Sequence, residues 1–270
     1  MGPEVMINNL AWKPTAPPCS FAREGFRRQE ERLRDRVLEI PEDCIPDDDC
    51  RQVVAEHYAR AVLRKTGNSL RVLDLGCGAA GSVDFFRTLA PNVHWVGLDL
   101  GDSPEVRSRS RTDAEFHTFD GSTIPFDSQS FDLVFCKQVF EHVRSPAPLA
   151  REIRRILKPG GSFAGSTSHL EPYHSFSCQN FTPFGLCELL CESGLRLVEI
   201  RPGIDGLSLL LRRVLGAPKF MDRWFQCESP LNLLISCAGA GMRKSMRWRN
   251  QAKLLVCGHF CFLAGRDGDF

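Results

Sequence analysis

Residues 72–81, VLDLGCGAAG, join a short apolar run to a turn rich in glycine. The run predicts a buried β-strand, and the glycines follow the G-x-G-x-x-G spacing of loops that hold a nucleotide between a strand and the next helix. Gly76 and Gly78 let the backbone turn tightly and approach a ligand. We expect Gly81 to allow close packing of the helix on the strand. The glycine spacing alone does not show which nucleotide is bound.

Two aspartates narrow the choice of ligand. Asp74 lies two positions before Gly76, so its carboxylate projects beside the turn. There it would repel a pyrophosphate and attract the ammonium and sulfonium groups of S-adenosylmethionine. Asp99 ends the predicted strand VHWVGLD, at the spacing of an acid that accepts hydrogen bonds from ribose hydroxyls. NAD sites use an acid in the same way, so Asp74 is the residue that favours S-adenosylmethionine.

Short apolar strands alternate with helical segments from residue 71 onward. This alternation predicts a parallel, doubly wound α/β sheet that is covered on both faces. The predicted strands are RVLDL, VHWVGLD, EFHTF, FDLVFC, GSFAGSTS, LRLVEIR and VCGHFCFLAG.

The same pattern divides the chain into four parts. Residues 1–67 hold an extended arm and two helices, one over 21–40 and one over CRQVVAEHYARAVLRKTG. Residues 68–204 form the nucleotide-binding core, and residues 255–270 supply its closing strand. Between them, residues 205–254 form a basic helical insertion.

The insertion is the most unusual part of the chain. Residues 212–253 carry nine Lys and Arg residues against Asp222 and Glu228, a net charge of +7 in a chain whose total is +1. A solvated helix face is the ordinary explanation of such charge. The alternatives are a lid or a docking surface for an anionic acceptor, and peripheral contact with a membrane, because LSLLLRRVLG and MRKSMRWRN mix basic and apolar residues.

Composition excludes several classes of protein. The hydrophobic fraction of 43% and the charged fraction of 25% are those of an ordinary globular chain. The N-terminus lacks the basic and apolar regions of a secretory signal, which predicts a cytoplasmic location. The twelve cysteines form no C-x-x-C pair, and we expect Cys257, His259 and Cys261, on one strand face, to be buried side chains and not metal ligands.

The segments FDGSTIPFDSQSFDLVFCKQVFEHV and LAREIRRILKPGGSFAGS continue the pattern downstream of the glycine loop. With them, residues 70–170 resemble the class I S-adenosylmethionine-dependent methyltransferases, in the branch that includes ubiquinone and menaquinone biosynthesis enzymes. The resemblance implies a Rossmann-like, doubly wound sheet of seven strands, mostly parallel with an antiparallel last strand. The resemblance also implies N-terminal helices, a helical insertion before that strand, and S-adenosylmethionine as cofactor.

The resemblance also implies which residues contact the cofactor. In order along the chain these are Asp74, Gly76 and Gly78 at the methionine end, Asp99 and Leu100 at the ribose, Asp120 and Gly121 at the adenine, and Lys137 and Gln138 near the methyl group. Asp-Gly is also a common turn dipeptide, so a plain turn remains an alternative for Asp120.

Candidate catalytic residues follow the fourth and fifth strands. They are Glu141, His142, Tyr173 and His174. A base is needed only when the acceptor must lose a proton, since correct positioning supplies much of the rate of methyl transfer. Some relatives bind a divalent metal through Glu-x-x-Glu-His, but Gln138 replaces the first of these carboxylates. We therefore expect no metal.

The sequence thus predicts an enzyme that methylates a small-molecule, glycan or lipid-linked acceptor, with oxygen favoured as the accepting atom. It leaves two alternatives, a scaffold or regulatory partner that binds the cofactor without catalysis, and an NAD-type oxidoreductase, which Asp74 disfavours. No nucleic-acid partner is expected, because no aromatic-basic ladder or RNA-binding module accompanies the basic insertion. The oligomeric state is left open.

Overall fold

The protein, in a computed structural model that describes residues 38–66 and 69–266, is built on a seven-stranded sheet with the order β3-β2-β1-β4-β5-β7-β6. Neighbouring strands from β3 to β5 are parallel, and β7 is antiparallel to both β5 and β6. The strands are β1 Arg71–Leu75, β2 His94–Leu100, β3 Glu115–Phe119, β4 Phe131–Lys137, β5 Leu157–Ser168, β6 Leu195–Pro202 and β7 His259–Arg266. The predicted fold class is confirmed.

Helices cover the sheet and extend beyond it. They are α1 Glu56–Thr66, α2 Val83–Leu89, α3 Pro104–Arg107, α4 Pro146–Ile156, α5 Pro183–Glu192, α6 Gly206–Val214, α7 Pro230–Gly241 and α8 Met246–Val256. Short 3₁₀ turns occur at Glu42–Cys44, Phe140–His142 and Lys219–Phe225. None of the helices in the described part of the chain is long and apolar enough to cross a membrane.

The core forms because apolar residues recur with the period of each element. In β1, Val72, Leu73 and Leu75 are fully buried, as expected of a central strand with helices on both faces. In α4, Leu149 and Ile153 are buried four residues apart, so one stripe of the helix faces the sheet.

The carboxyl ends of the strands meet at one edge of the sheet. Strand β6 is parallel to β5, because each of them is antiparallel to the β7 strand between them. The pairs Ser168 with His259 and Pro202 with Phe260 therefore place the end of β5, the end of β6 and the start of β7 side by side. The segment of α6, α7 and α8 leaves and rejoins the sheet at this edge, where ligands bind in open α/β sheets.

Part of the basic charge of that segment is structural. Lys253 in α8 is fully buried, where it forms an ion pair with Glu228 and donates a hydrogen bond to the Cys50 carbonyl (2.5 Å). The backbone N–H of Arg247 donates to Asp47 (2.6 Å) and its guanidinium to the Ile45 carbonyl. These contacts attach the insertion to the acidic segment that precedes α1.

Three local expectations differ from the structure. The second N-terminal helix begins at Glu56 and not at Cys50, because residues 51–54 are extended across the end of β6. The stretch near 103–112 forms only the one-turn helix α3, capped by Ser103. The turn KPGG is continuous with β5. The predicted arm over 1–20, most of the helix over 21–40, and Gly67 lie outside the described residues.

Candidate functional site

The glycine-rich loop connects β1 to α2 at the carboxyl edge of the sheet. Gly76 has a φ of +74° and Gly78 a φ of +49°, a region that favours glycine. A Cβ on Gly76 would lie 2.3 Å from a methyl group of Val139. Around Gly81 there is open space within 4 Å, so the expectation that this glycine allows close helix packing is wrong.

Asp74 is buried beneath this loop. The Ser82 hydroxyl donates to its carboxylate, and the Trp95 indole in turn donates to Ser82 (3.0 Å). Burial raises the pKa of Asp74 to about 7, and the negative charges of Asp99 and Glu56 oppose its ionisation further. A bound cation would reverse this balance, because an opposite charge favours the ionised carboxyl.

Asp99 organises the loop from the end of β2. One of its carboxylate oxygens accepts a hydrogen bond from the Gly78 N–H (2.6 Å) and the other accepts one from the Leu100 N–H (2.7 Å). Leu100 itself is 47% exposed at the edge of the sheet. The acid therefore fixes the position of the loop relative to β2.

Asp120 and Gly121 follow β3, next to this edge. One Asp120 oxygen accepts hydrogen bonds from the Ser122 N–H (2.8 Å) and the Thr123 N–H (2.7 Å), and these bonds hold the pKa of Asp120 below its usual value. Gly121 has a φ of +87°, and a Cβ there would lie 3.4 Å from the Leu100 side chain. The aspartate caps its own turn, and the glycine keeps the space beside Leu100 open.

An additional acid comes from α1. Glu56 accepts a hydrogen bond from the Lys137 ammonium at the end of β4 (2.7 Å). Its second oxygen is buried and has no hydrogen-bond partner among the described residues. Glu56 is 81 positions from Lys137 in sequence, and no motif marks it, so sequence reasoning missed it.

Gln138 begins a cluster of polar side chains after β4. Its φ of +55° is unusual for a residue with a side chain. When its amide is oriented to satisfy its neighbours, the NH₂ group donates to Glu141 (2.8 Å) and lies 3.3 Å from His259 Nε2. Gln138 therefore links the end of β4 to the start of β7.

Glu141 is the buried acid of this cluster. It has no solvent exposure, and its carboxylate accepts a hydrogen bond from the Thr167 hydroxyl (3.0 Å) and lies 3.3 Å from the Ser168 hydroxyl at the end of β5. Burial raises the pKa of Glu141, although the hydroxyl of Thr167 favours the ionised form. Its backbone carbonyl also accepts from Cys178 (2.7 Å), which ties the loop after β5 to this turn.

The structure brings His142 and His174 together, as the sequence suggested for residues at one sheet edge. Their ring centroids are 5.3 Å apart and the rings meet edge to face. His174 also lies 3.4 Å from Glu171. Tyr173, the fourth candidate, is 69% exposed and has no place inside this cluster.

Glu171 and His259 form a close polar contact within the cluster. His259 Nε2 lies 2.6 Å from the Glu171 carboxylate, which also accepts a hydrogen bond from Ser168 (2.5 Å). Burial opposes the ionisation of Glu171, but its bonds with His259 and Ser168 outweigh this and keep its pKa below the usual value. The Phe225 ring packs against His259, with 6.0 Å between centroids.

The sequence predicts that His259 lies on the last strand, but it does not indicate a role for this residue in the site. Its contact with Glu171 spans 88 positions along the chain. The pairing of β5 with β7 creates this contact, so local sequence could not indicate it. Its position at the start of the last strand was the available signal.

Three of these side chains have an arrangement that could hold a metal ion. The ligand atoms of Glu141, His142 and His174 lie within 4.8 Å of one another. The amide of Gln138 faces Glu141 with its donor side, however, and supplies no fourth charged ligand. The expectation that no metal is required stays a prediction.

Comparison with known proteins decides the family. Residues 73–165, from β1 into β5, match the family described as "Methyltransferase domain". These residues form a class I S-adenosylmethionine-dependent methyltransferase domain. The cofactor of this methyltransferase family is S-adenosylmethionine.

Curated relatives are similar over part of their length. A malonyl-[acyl-carrier protein] O-methyltransferase of Erwinia pyrifoliae is 30% identical over 146 residues, which cover 46% of this chain and 55% of the relative. A ubiquinone biosynthesis O-methyltransferase of Hahella chejuensis is 32% identical over 108 residues, covering 38% and 44%. The chain thus spans about half the length of the curated relatives it matches.

A solved structure agrees with the fold. A crystal structure of a candidate sarcosine dimethylglycine methyltransferase from Galdieria sulphuraria aligns with a TM-score of 0.51 at 17% identity. The alignment covers 92% of this chain and 88% of the other chain. At this identity the likeness concerns the fold alone.

The residues around the glycine-rich loop fit S-adenosylmethionine, the cofactor of this family. Asp74, Asp99 and Glu56 place three carboxylates around the loop, with Lys137 as the cation paired to Glu56. S-adenosylmethionine carries two positive groups and one carboxylate, so it would offset this negative charge. The pyrophosphate of NAD would add to it.

Proposed function

We propose that this protein transfers a methyl group from S-adenosylmethionine to an oxygen atom of a small-molecule, glycan or lipid-linked acceptor. The observation that carries the proposal is the pair formed by Glu171 and His259. It lies beside Gln138, at the sheet edge where the cofactor-binding elements also end. A hydroxyl acceptor needs a group that takes its proton, and this pair supplies one.

The residues at the glycine loop hold the donor in this proposal. Asp74 and the free oxygen of Glu56 attract positive charge, Asp99 faces the ribose, and Gly121 leaves room beside Leu100. When bound, S-adenosylmethionine supplies a methyl group on a positively charged sulfur. The protein contributes mainly position and charge, because the methyl carbon is already activated.

His259 is the group that accepts the proton. In the tautomer that carries its proton on Nε2, His259 donates to Glu171 and keeps Nδ1 as the basic nitrogen. Glu171 stabilises the imidazolium that forms, in the manner of the acid in a catalytic triad. His142 and His174 are the second candidates, because they lie against one another at the same edge.

A transfer assay tests the proposal. Labelled S-adenosylmethionine is incubated with the protein and a panel of hydroxyl, amine and carbanion-forming acceptors, and we expect label on a hydroxyl compound. S-adenosylhomocysteine should raise the melting temperature, whereas NAD should not. Cofactor binding without turnover across the panel would support the scaffold alternative. A shift with NAD alone would support an oxidoreductase.

A further inference from the structure

The insertion exposes more large apolar side chains than the rest of the described chain. Of the fourteen large hydrophobic residues that are exposed in the described part of the chain, nine lie between positions 207 and 242. They are Leu207, Leu210, Leu211, Val214, Leu215, Phe220, Leu233, Leu234 and Met242. Contiguous exposed apolar surface of this kind marks an interaction site.

Helix α6 has two apolar faces. Its inner face places Leu209 against Gly258, where a Cβ would lie 2.3 Å from the leucine methyl group. Its outer face carries Leu207, Leu210, Leu211 and Val214, at the spacing of a single helical stripe. The outer stripe has no partner in the described structure.

Helix α7 continues this surface. Its sequence, PLNLLISCAGAG, contains no charged residue over twelve positions. Asn232 and Gly239 are buried, whereas Leu233 and Leu234 are 53% and 66% exposed. Because α7 contacts α6, we treat their exposed stripes together and call them the α6–α7 face.

Exposed cations follow both helices of the α6–α7 face along the chain or lie at their ends. They are Arg213, Lys219, Arg223, Arg243 and Lys244. Of the acids in this part of the chain, Asp222 is paired with Arg212, and Glu228 is paired with the buried Lys253. An apolar surface bordered by unneutralised positive charge matches an anionic lipid surface, with acyl chains beneath and phosphates at the border.

The α6–α7 face is also next to the polar cluster of Gln138, Glu171 and His259, which we call the acceptor cluster. The start of α6 lies against Leu170, the residue before Glu171, since a Cβ on Gly206 would be 2.9 Å from the Leu170 Cβ. Phe225, between α6 and α7, packs on His259. The surface and the cluster therefore share one edge of the sheet.

We propose that the α6–α7 face docks on an anionic membrane surface and presents the acceptor cluster to acceptors held in that surface. The docking is independent of the reaction, whereas its use in selecting a lipid-linked acceptor rests on the proposed function. Leu233 and Leu234 enter the interfacial region, and Arg243 and Lys244 contact lipid phosphates. Binding to a second copy of the chain or to a protein partner would not depend on anionic lipid.

Vesicle co-sedimentation of the full chain, without cofactor, tests the docking. Vesicles of phosphatidylcholine with about one-third phosphatidylglycerol should bind the protein, and pure phosphatidylcholine should bind it at least tenfold more weakly. The variants R243E/K244E and L233S/L234S should each lower the partition coefficient at least tenfold. The control R64E/K65E makes the same charge change on two exposed residues at the end of α1, and it should bind as the wild type does.

Several results would overturn the proposal. Equal binding to both vesicle types, no binding at any composition, or an equal loss in R64E/K65E would each do so. A dimer in light scattering that L233S/L234S converts to a monomer would show that the face pairs with a second copy. Each variant must keep its affinity for S-adenosylhomocysteine, which shows that it is folded. Because the assay uses neither cofactor nor acceptor, failure of methyl transfer would not affect it.

Discussion

The two halves of the sheet edge differ in how they are built. In the proposed function, the half at β1 and β2 holds the cofactor with residues that are close in sequence, since Asp74, Gly76 and Gly78 lie on one loop and Asp99 bonds directly to it. The half at β4, β5 and β7 is assembled from distant segments, and its Glu171–His259 contact joins residues 88 positions apart. The donor site is thus a local motif, and the acceptor site is a product of the fold.

The largest effect is expected from His259→Asn, which tests whether the acceptor half does chemistry. The variant keeps a polar side chain but loses the base, so kcat should fall by about 10²–10⁴-fold. The measurement is a steady-state assay with an acceptor from the panel. His169→Asn is the matched control, because His169 is a half-buried histidine at the same edge whose ring lies against Phe260. If kcat changes less than threefold in His259→Asn, the base lies elsewhere.

Glycine substitutions test the donor half. In Gly76→Ala, the positive φ costs about 1–2 kcal/mol, and the new Cβ meets Val139 at 2.3 Å. We expect the melting temperature to fall by roughly 5 °C or more, with weaker binding of S-adenosylhomocysteine. Gly81→Ala has open space and should change neither quantity. Differential scanning fluorimetry measures the effect, and equal behaviour of the two variants would contradict the structure of the loop.

The pKa of Asp74 predicts a pH dependence of cofactor binding. Because the folded carboxyl titrates at about 7, it is largely protonated at pH 6 in the free protein and attracts the cofactor cation less. The dissociation constant of S-adenosylhomocysteine should rise about tenfold between pH 8 and pH 6. For the ligand-free protein, the same raised pKa lowers the free energy of unfolding as pH rises through 7. Asp74→Asn should bind weakly and lose this slope, and a slope that persists would assign it to another group.

The smallest effect is expected from metal removal. Gln138 provides no charged ligand and turns the donor side of its amide toward Glu141, so the cluster lacks a second carboxylate beside Glu141 at this turn. Incubation with EDTA should change kcat less than twofold. A tenfold loss that magnesium restores would show that Glu141, His142 and His174 hold a metal after all.

Local sequence predicted the parts of the structure that depend on periodicity and on ordered motifs. The bounds of β3 agree with the predicted EFHTF, and α4 begins at Pro146 as expected. The prediction that Gly81 allows close helix packing was wrong, because motif spacing carries no information about which atoms surround a residue. Glu56 and His259 were missed as site residues for a different reason. Each enters the site through packing with a distant element, α1 on β4 in one case and β7 beside β5 in the other.

The sequence also did not show which basic residues form contacts within the protein. Composition showed a net charge of +7 over residues 212–253, but not that Lys253 is buried against Glu228 or that Arg247 holds the segment before α1. What remains exposed is a smaller group of cations around an apolar surface. Only the three-dimensional arrangement separates the cations that stabilise the fold from those that are free to bind a ligand.

Isothermal titration with S-adenosylhomocysteine tests the division between the two halves most directly, and it requires no known acceptor. Asp99→Ala should weaken binding at least tenfold, because it removes the acid that orders Gly78 and that we propose binds the ribose. Asp102→Ala, an exposed acid in the next turn, and His259→Asn should bind within twofold of the wild type. Wild-type affinity in Asp99→Ala, or a tenfold loss in His259→Asn, would contradict the separation of donor and acceptor sites.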